Sequence, residues 1–365
     1  MRLLIIVLDT NILCKDFYMQ GAQLSLLRQL GGIVIPEIVF DEILNKHREV
    51  VEKNGNELIK KVEEYQKVTH VPIAVNVSDC YSEEHKLYEQ FLINILLENS
   101  AYPPEGYPQV SHKEVVKRSL LRKKPFKVDG RSGYRDYLVW RTVLDIVKQS
   151  EEDVHFISEN TADFGDGQDK RKLHPDLLDE MKELGIDGTR LQYWGLLKDF
   201  IEDVVKPSLT VIEEEQSFIN KLSASKEFQT IKDIVHKKLV GFGVSGYDVF
   251  VPGDSLFVRK IFEWNDIEIY NVAKLKDGKV LVSVNAKCFA EIQSSTTKME
   301  LASLTKEDMM DSSIEEKDNK NIVIYTAVLL DVELEVIYDD ISDNICSVDI
   351  TDVSDSAYCE YCPYD

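Results

Sequence analysis

The chain opens on an uninterrupted apolar run, Leu3-Leu4-Ile5-Ile6-Val7-Leu8, that stops abruptly at Asp9-Thr10-Asn11. A run of that length is too short for a helix of its own and reads as a strand buried on both faces, as at the centre of a parallel sheet. Ile33-Val34-Ile35 and Val154-His155-Phe156-Ile157 repeat the signal, and a smaller strand is expected near residues 189–192. Between these runs the apolar positions fall at helical spacing. Helices are predicted over residues 20–30 (ended by Gly31-Gly32), 83–98, 111–124, 134–148, 175–184 and 193–205. Another enters through Pro36, turns Ile38, Val39, Ile43 and Leu44 inward, and runs to about Lys67. Tyr102-Pro103-Pro104, with Gly106 and Pro108, marks a loop. Strands alternating with helices predict an α/β domain with a central parallel sheet, residues 1–206, carrying a helical insertion at about 46–128.

The pattern changes after Pro207. A helix is expected over residues 218–238, followed by runs rich in Val, Ile, Phe and Tyr at 247–251, 255–264, 267–275 and 279–291. Asp277-Gly278 is a tight-hairpin signal between the last two. Two more strands are predicted at 321–329 and 332–337, after a polar linker at 303–320. Residues 207–365 therefore read as an α+β accessory domain with a mainly antiparallel sheet and an acidic C-terminal tail. No internal repeat is visible.

Composition bounds the function classes. An apolar fraction of 44% and a charged fraction of 30% describe a globular chain. No apolar stretch approaches a membrane span, and the first run meets Asp9 too early for a signal peptide. The six cysteines (Cys14, Cys80, Cys288, Cys346, Cys359, Cys362) are sparse and mostly isolated, which suits a reducing cytoplasm. The net charge of −22 argues against a polyanionic partner, but it is unevenly spread. Residues 331–365 hold eleven acids and no Lys or Arg, whereas residues 113–148 hold eleven Lys or Arg against four acids. Local field steers a polyanion more than net charge does, so the basic segment keeps nucleic acid in view.

Four acids stand just past a strand or near a helix start. Asp9 ends the first strand, Glu42 lies on the helix after the second, Asp136 lies in the first turn of the helix before the third, and Asp163 follows the third. Parallel topology can bring all four to one edge of the sheet. Clustered carboxylates repel one another and raise each other's pKa, and a hard divalent cation relieves that repulsion. Mg²⁺ or Mn²⁺ held by such oxygens can activate water for an in-line phosphodiester displacement.

Leu8-Asp9-Thr10-Asn11, Pro36 with Glu42, Gly133-Tyr134-Arg135-Asp136, and Ser158-x-Asn160-x-x-Asp163-Phe164 together resemble the four motifs of the PIN-domain nucleases, in that family's order. The resemblance covers roughly the first two hundred residues. It implies a metal-dependent endonuclease acting mostly on single-stranded or structured RNA. Asp9, Glu42, Asp136 and Asp163 would be its catalytic and metal-binding quartet, with Thr10, Asn11, Ser158 and Asn160 as polar support. Small PIN toxins place the third motif soon after the second; the long insertion here is similar to larger bacterial PIN-like proteins, some of which look like parts of phage-defence cassettes. A toxin- or defence-like endoribonuclease is the expectation. Its partners would be RNA, or single-stranded DNA, with a protein inhibitor or a second copy of the chain as further candidates, and no membrane.

Plainer readings stand beside these. Asp9 fits a helix N-cap, and Asp136 fits simple electrostatic support of a helix N-terminus. Glu42 competes with Asp41, its neighbour about 100° round the helix, and Ile38 and Val39 favour Glu42 as the inward one. Asp163 competes with Asp166 and Asp169, and Phe164 favours Asp163. The run Lys117, Arg118, Arg122, Lys123, Lys124, Lys127, Arg131, Arg135 is either a solvated helix face or a phosphate-tracking surface leading to Asp136, and Arg131 and Arg135 flank that acid most closely.

Three other motifs lead nowhere. Gly241-x-Gly243-x-x-Gly246 follows a helix and precedes a strand, the reverse of a dinucleotide site. Asp163-Phe164-Gly165 lacks the other kinase motifs. Cys359-x-x-Cys362 has no second pair for zinc within one chain. The competing function classes are a non-catalytic PIN scaffold, its acidic tail covering the basic segment or its second domain docking a protein, and a phosphatase-like hydrolase with Asp9 as nucleophile. The last is disfavoured because Asn11 stands where a second Asp is expected.

Overall fold

The computed structural model describes residues 4–356 apart from 31, 71–72, 74–77, 99–105, 168, 170, 212–214, 224, 245–250, 276, 303, 305–311 and 318–319. The Cys359–Cys362 pair, the Tyr102–Pro104 loop and most of the run at 247–251 lie outside the described residues. The chain divides into two compact units, Met1–Pro207 and Ser208–Asp365.

The first unit is α/β. Its strands are β1 (Ile5–Leu8), β2 (Ile33–Val34), β3 (Val154–Ile157) and β4 (Leu191–Trp194), in the order β2-β1-β3-β4 and all parallel. Every residue of β1 and β3 is buried, as a strand covered on both faces must be. The helices are α1 (Thr10–Leu13), α2 (Ala22–Leu30), α3 (Glu37–Gln66), α4 (Ser78–Glu98), α5 (His112–Leu120), α6 (Tyr134–Gln149), α7 (Pro175–Glu183) and α8 (Leu197–Phe200). The last continues through a π-helical turn, Ile201–Val205, into α9 (Lys206–Ser208). Ahead of β2, Gly32 adopts φ +72°, and a Cβ there would meet the Leu4 carbonyl oxygen at 1.8 Å. Only glycine lets the chain pass so close to β1.

Two local details differ from the sequence pattern. The basic helix expected to reach Lys124 ends at Leu120, because Arg122 takes the left-handed φ of +53°, which a helix cannot continue through. Tyr193 and Trp194, expected in a helix, pair with Phe156 and Ile157 as strand β4, and α8 starts only at Leu197.

The second unit is a sheet with helices on one face. Strands β5 (Thr210–Val211), β6 (Asp254–Lys274), β7 (Val280–Thr297), β9 (Asn321–Asp339) and β10 (Asn344–Asp355) run in the order β10-β9-β7-β6-β5, and β8 (Ser312–Glu316) also pairs with β9; all neighbours are antiparallel. Helices α10 (Glu215–Ser223), α11 (Lys226–Gln229) and α12 (Ile231–Leu239) supply Leu222, Phe228, Ile231, Val235 and Leu239 to a core shared with alternate β7 residues Val282, Val284, Ala286, Cys288, Ala290 and Ile292. A short four-residue helix, α13 (Lys298–Leu301), follows β7.

The strands predicted at 255–264 and 267–275 are one strand, β6, whose pairing shifts register between Trp264 and Ile267. A β-bulge absorbs the polar Asn265-Asp266 without ending the strand. The pairs predicted at 321–329 and 332–337 likewise merge into β9. The acidic tail expected from Asp331 is sheet as far as Asp355: Val332, Leu334, Val336, Val348 and Val353 are buried, and the acids occupy intervening positions. Among the described residues, most of that tail is therefore paired strand and not a free arm.

Candidate active site

Parallel topology sends β1 and β3 out of the sheet side by side, since Leu8 pairs with Ile157. The residues that follow, Asp9 and Ser158, therefore meet at one edge. Ser158 Oγ donates to Asp9 Oδ2 at 2.5 Å, and Asn11 Nδ2 donates to the same oxygen at 2.7 Å. Asp9 Oδ1 accepts the Thr10 amide at 2.7 Å, so the residue is also the N-cap of α1. Asp9 is thus both the N-cap of α1 and a member of this hydrogen-bonded network.

Around this pair the other acids assemble. Glu42, on the second turn of α3, accepts Thr10 Oγ1 at 2.8 Å through Oε2. Its competitor Asp41 is exposed and accepts the Tyr107 hydroxyl instead. Asn160, whose amide donates to Ser158 Oγ, spreads its side-chain Nδ2 between Asp136 Oδ1 at 3.2 Å and Asp163 Oδ2 at 3.0 Å. Asp163 is held in by Phe164, fully buried edge-on against Phe156 of β3. Asp169 pairs with Lys172 away from this network. Hydrogen bonds through Thr10, Ser158 and Asn160 thus tie Asp9 and Glu42, and separately Asp136 and Asp163, to adjoining β-strand ends.

Asp136 reaches the network because α6 starts abruptly. Gly133, its N-cap, has φ +105°, and a Cβ there would lie 2.3 Å from the Pro125 carbonyl oxygen. That close turn packs the start of α6 under residues 125–126 and sets Asp136 in the first helical turn, where the helix dipole also favours a carboxylate.

Burial pushes the Asp9 carboxyl up to about 6, against the pull of its Ser158 and Thr10 hydrogen bonds, and Asp136 and Glu42 add repulsion. Asp136 is raised as well, by burial first and then by Asp163 and Glu42. The carboxylates therefore feel one another, the electrostatic condition for a cation site. The donors suit Mg²⁺ or Mn²⁺, being hard carboxylate oxygens, and Asp163 Oδ1 is buried with no hydrogen-bond partner. As they stand, however, no three His, Cys, Asp or Glu side chains among the described residues converge closely enough to hold one ion. Two of the acids are engaged by protein cations: Arg135 Nη1 lies 2.6 Å from Glu42 Oε1, and Lys124 Nζ lies 3.8 Å from Asp163 Oδ1.

The basic run splits in three. Arg135 and Lys124 touch the acids. Arg122 and Arg131 are exposed and Lys123 is half-buried, and among the described residues none of these three contacts the acidic network. Arg118 is internal, 2.8 Å from the buried Glu180, which also binds Trp140 Nε1 at 2.7 Å. Sequence reasoning missed this role for Arg118 and the anchoring of Lys124 that depends on it. It also missed Tyr193, whose hydroxyl donates to the Ser158 carbonyl from β4 at 2.9 Å. The polar Glu180 beside the apolar Met181 on α7 was the one available signal of an inward acid.

Among the described residues no helix is long and apolar enough to cross a membrane. No curated protein and no solved structure matches the chain. A family model described as PIN domain matches residues 6–164, a span from β1 through Phe164 that contains all four acids. Residues 6–164 of this N-terminal α/β unit are thus similar to the PIN-domain family, whose fold is a nuclease fold.

Proposed function

We propose that the N-terminal unit is a metal-dependent endonuclease whose preferred substrate is RNA. The observation that supports this most is that Asp9, Glu42, Asp136 and Asp163, from four separate segments, join one hydrogen-bonded network at the strand ends of the PIN-like sheet. These four would hold Mg²⁺ or Mn²⁺. When bound, the ion supplies charge neutralisation at the scissile phosphate and lowers the pKa of a water. The chain's own residues do the positioning. Ser158 and Asn11 fix Asp9, Thr10 fixes Glu42, and Asn160 holds Asp136 and Asp163 as a pair. Arg122, Lys123 and Arg131 provide positive surface for the phosphate backbone. We place this activity in the cytoplasm, where sparse thiols such as Cys14, Cys288 and Cys346 stay reduced.

The direct test is incubation of the full chain with defined RNA and single-stranded DNA oligonucleotides, with Mn²⁺ and with chelator. RNA should be cut only with Mn²⁺, and the Asp9→Asn/Asp136→Asn double variant should be inactive. Undiminished cutting by that variant overturns the reading.

One observation favours a second reading, a PIN scaffold that binds without cutting: Arg135 and Lys124 already engage two of the acids. Calorimetric titration separates the two, because a scaffold of that kind takes up no Mn²⁺.

A further inference from the structure

Two cations of the protein pair with acids of the network, and they are held differently. Lys124 has its backbone pinned on both sides: its N–H donates to Asp176 Oδ2 at 2.9 Å, and its carbonyl accepts Arg118 Nε at 2.7 Å. Arg118 is itself fixed by the buried Glu180. None of these anchors uses the ammonium, which donates to the Ala162 carbonyl and faces the unpartnered Asp163 Oδ1 at 3.8 Å. Arg135 sits beside Asp136 at the start of α6, and its side chain is 68% exposed although its guanidinium grips Glu42. Among the described residues, Asp9 and Asp136 have no ion pair. The protein thus pairs Glu42 and Asp163 with its own cations and, among the described residues, leaves Asp9 and Asp136 without an ion pair.

Resting on the nuclease reading, we propose that Arg135 and Lys124 are exchangeable counter-ions: a divalent cation takes Glu42 and Asp163 from them, and the released guanidinium and ammonium bind phosphates of a single-stranded nucleic acid. A carboxylate shared between a divalent ion and a protein cation holds each less tightly, because its charge is divided and the cations repel. Arg135 then offers a bidentate fork to a phosphate and Lys124 a point charge. The pinned backbone keeps Lys124 at the site throughout, so only its side chain changes partner. Metal ion and polyanion consequently bind cooperatively, each raising the other's affinity by the same factor.

The test uses the full chain, calorimetric titration with Mn²⁺, and fluorescence anisotropy with a 2′-O-methyl oligoribonucleotide that resists cleavage. In the unmodified protein, Mn²⁺ should tighten oligonucleotide binding by on the order of fivefold, the scale of one exposed ion pair. Arg135→Gln and Lys124→Met should each bind Mn²⁺ more tightly by a similar factor, bind the oligonucleotide more weakly, and lose most of the enhancement. Arg135→Lys should restore part of it. A purely structural role would weaken both ligands together. Mn²⁺ affinity that is unchanged or lower in both variants overturns the exchange. Normal Mn²⁺ binding with no effect on the oligonucleotide overturns the exchange alone, whereas no Mn²⁺ binding by the unmodified protein overturns the nuclease reading with it. Should Lys124→Met fail to fold, the exposed Arg135 still carries the test.

Discussion

Two buried acidic centres in the same unit have opposite electrostatics. Glu180 is enclosed by Arg118 at 2.8 Å, Arg141 at 3.4 Å, the Trp140 indole at 2.7 Å and the Tyr137 hydroxyl at 3.4 Å. Every donor needed to hold a carboxylate out of water is present. Asp9, equally buried, has neutral hydrogen-bond donors and carboxylate neighbours, and its carboxyl is pushed up to about 6. The charge of the first centre's carboxylate is balanced within the chain. The second is electrostatically incomplete, which makes it a candidate ligand site.

The comparison breaks most readily at Glu180. Glu180→Ala leaves two buried guanidinium groups without their carboxylate, and loss of one partner from such a centre costs about 3–5 kcal/mol. Thermal unfolding should show the drop, and an unchanged melting temperature would erase the distinction between the two centres. Asp9→Asn should move the other way. A carboxyl raised from 3.8 to about 6 in the folded state binds its proton more tightly there than when unfolded. Its contribution therefore favours folding at low pH and is lost as pH rises from about 4 to about 6. The shift corresponds to about 3 kcal/mol at neutral pH. In chelator, Asp9→Asn should melt higher than the unmodified protein at pH 7, with the gap closing toward pH 4. A gap that widens toward acid pH would contradict the assignment. The smallest effect belongs to Asp41→Asn, which should change stability by less than about 1 kcal/mol and leave Mn²⁺ binding intact. Glu42→Gln should weaken Mn²⁺ binding although the two acids are adjacent.

Much of the first unit is legible because its signals are local. The run ending at Asp9 names a buried strand, and the parallel pairing of Leu8 with Ile157 then brings Ser158 to Asp9. Phe164 marks Asp163 because an apolar residue after a strand end has to go inside. The choice of Glu42 over Asp41 follows from Ile38 and Val39 one turn earlier. The second unit is less legible in its sequence. Asn265-Asp266 looks like a break when only one strand is considered, yet β7 alongside lets the strand continue through a bulge. Eleven acids among residues 331–365 disguise the alternation of β9 and β10 as a solvated tail.

By itself the sequence determined the strand at Ile5–Leu8, the order of the four acids and the parallel architecture that gathers them, because hydrophobic periodicity and chain order are local properties. Tertiary structure alone decided which basic residue does what. Arg118 turns inward because Glu180 waits for it from α7, and Lys124 faces Asp163 because Arg118 and Asp176 pin its backbone. Glu180 and Asp176 lie some fifty to sixty residues along the chain from Arg118 and Lys124, and a charge carries no periodic signal that says which distant carboxylate it will meet.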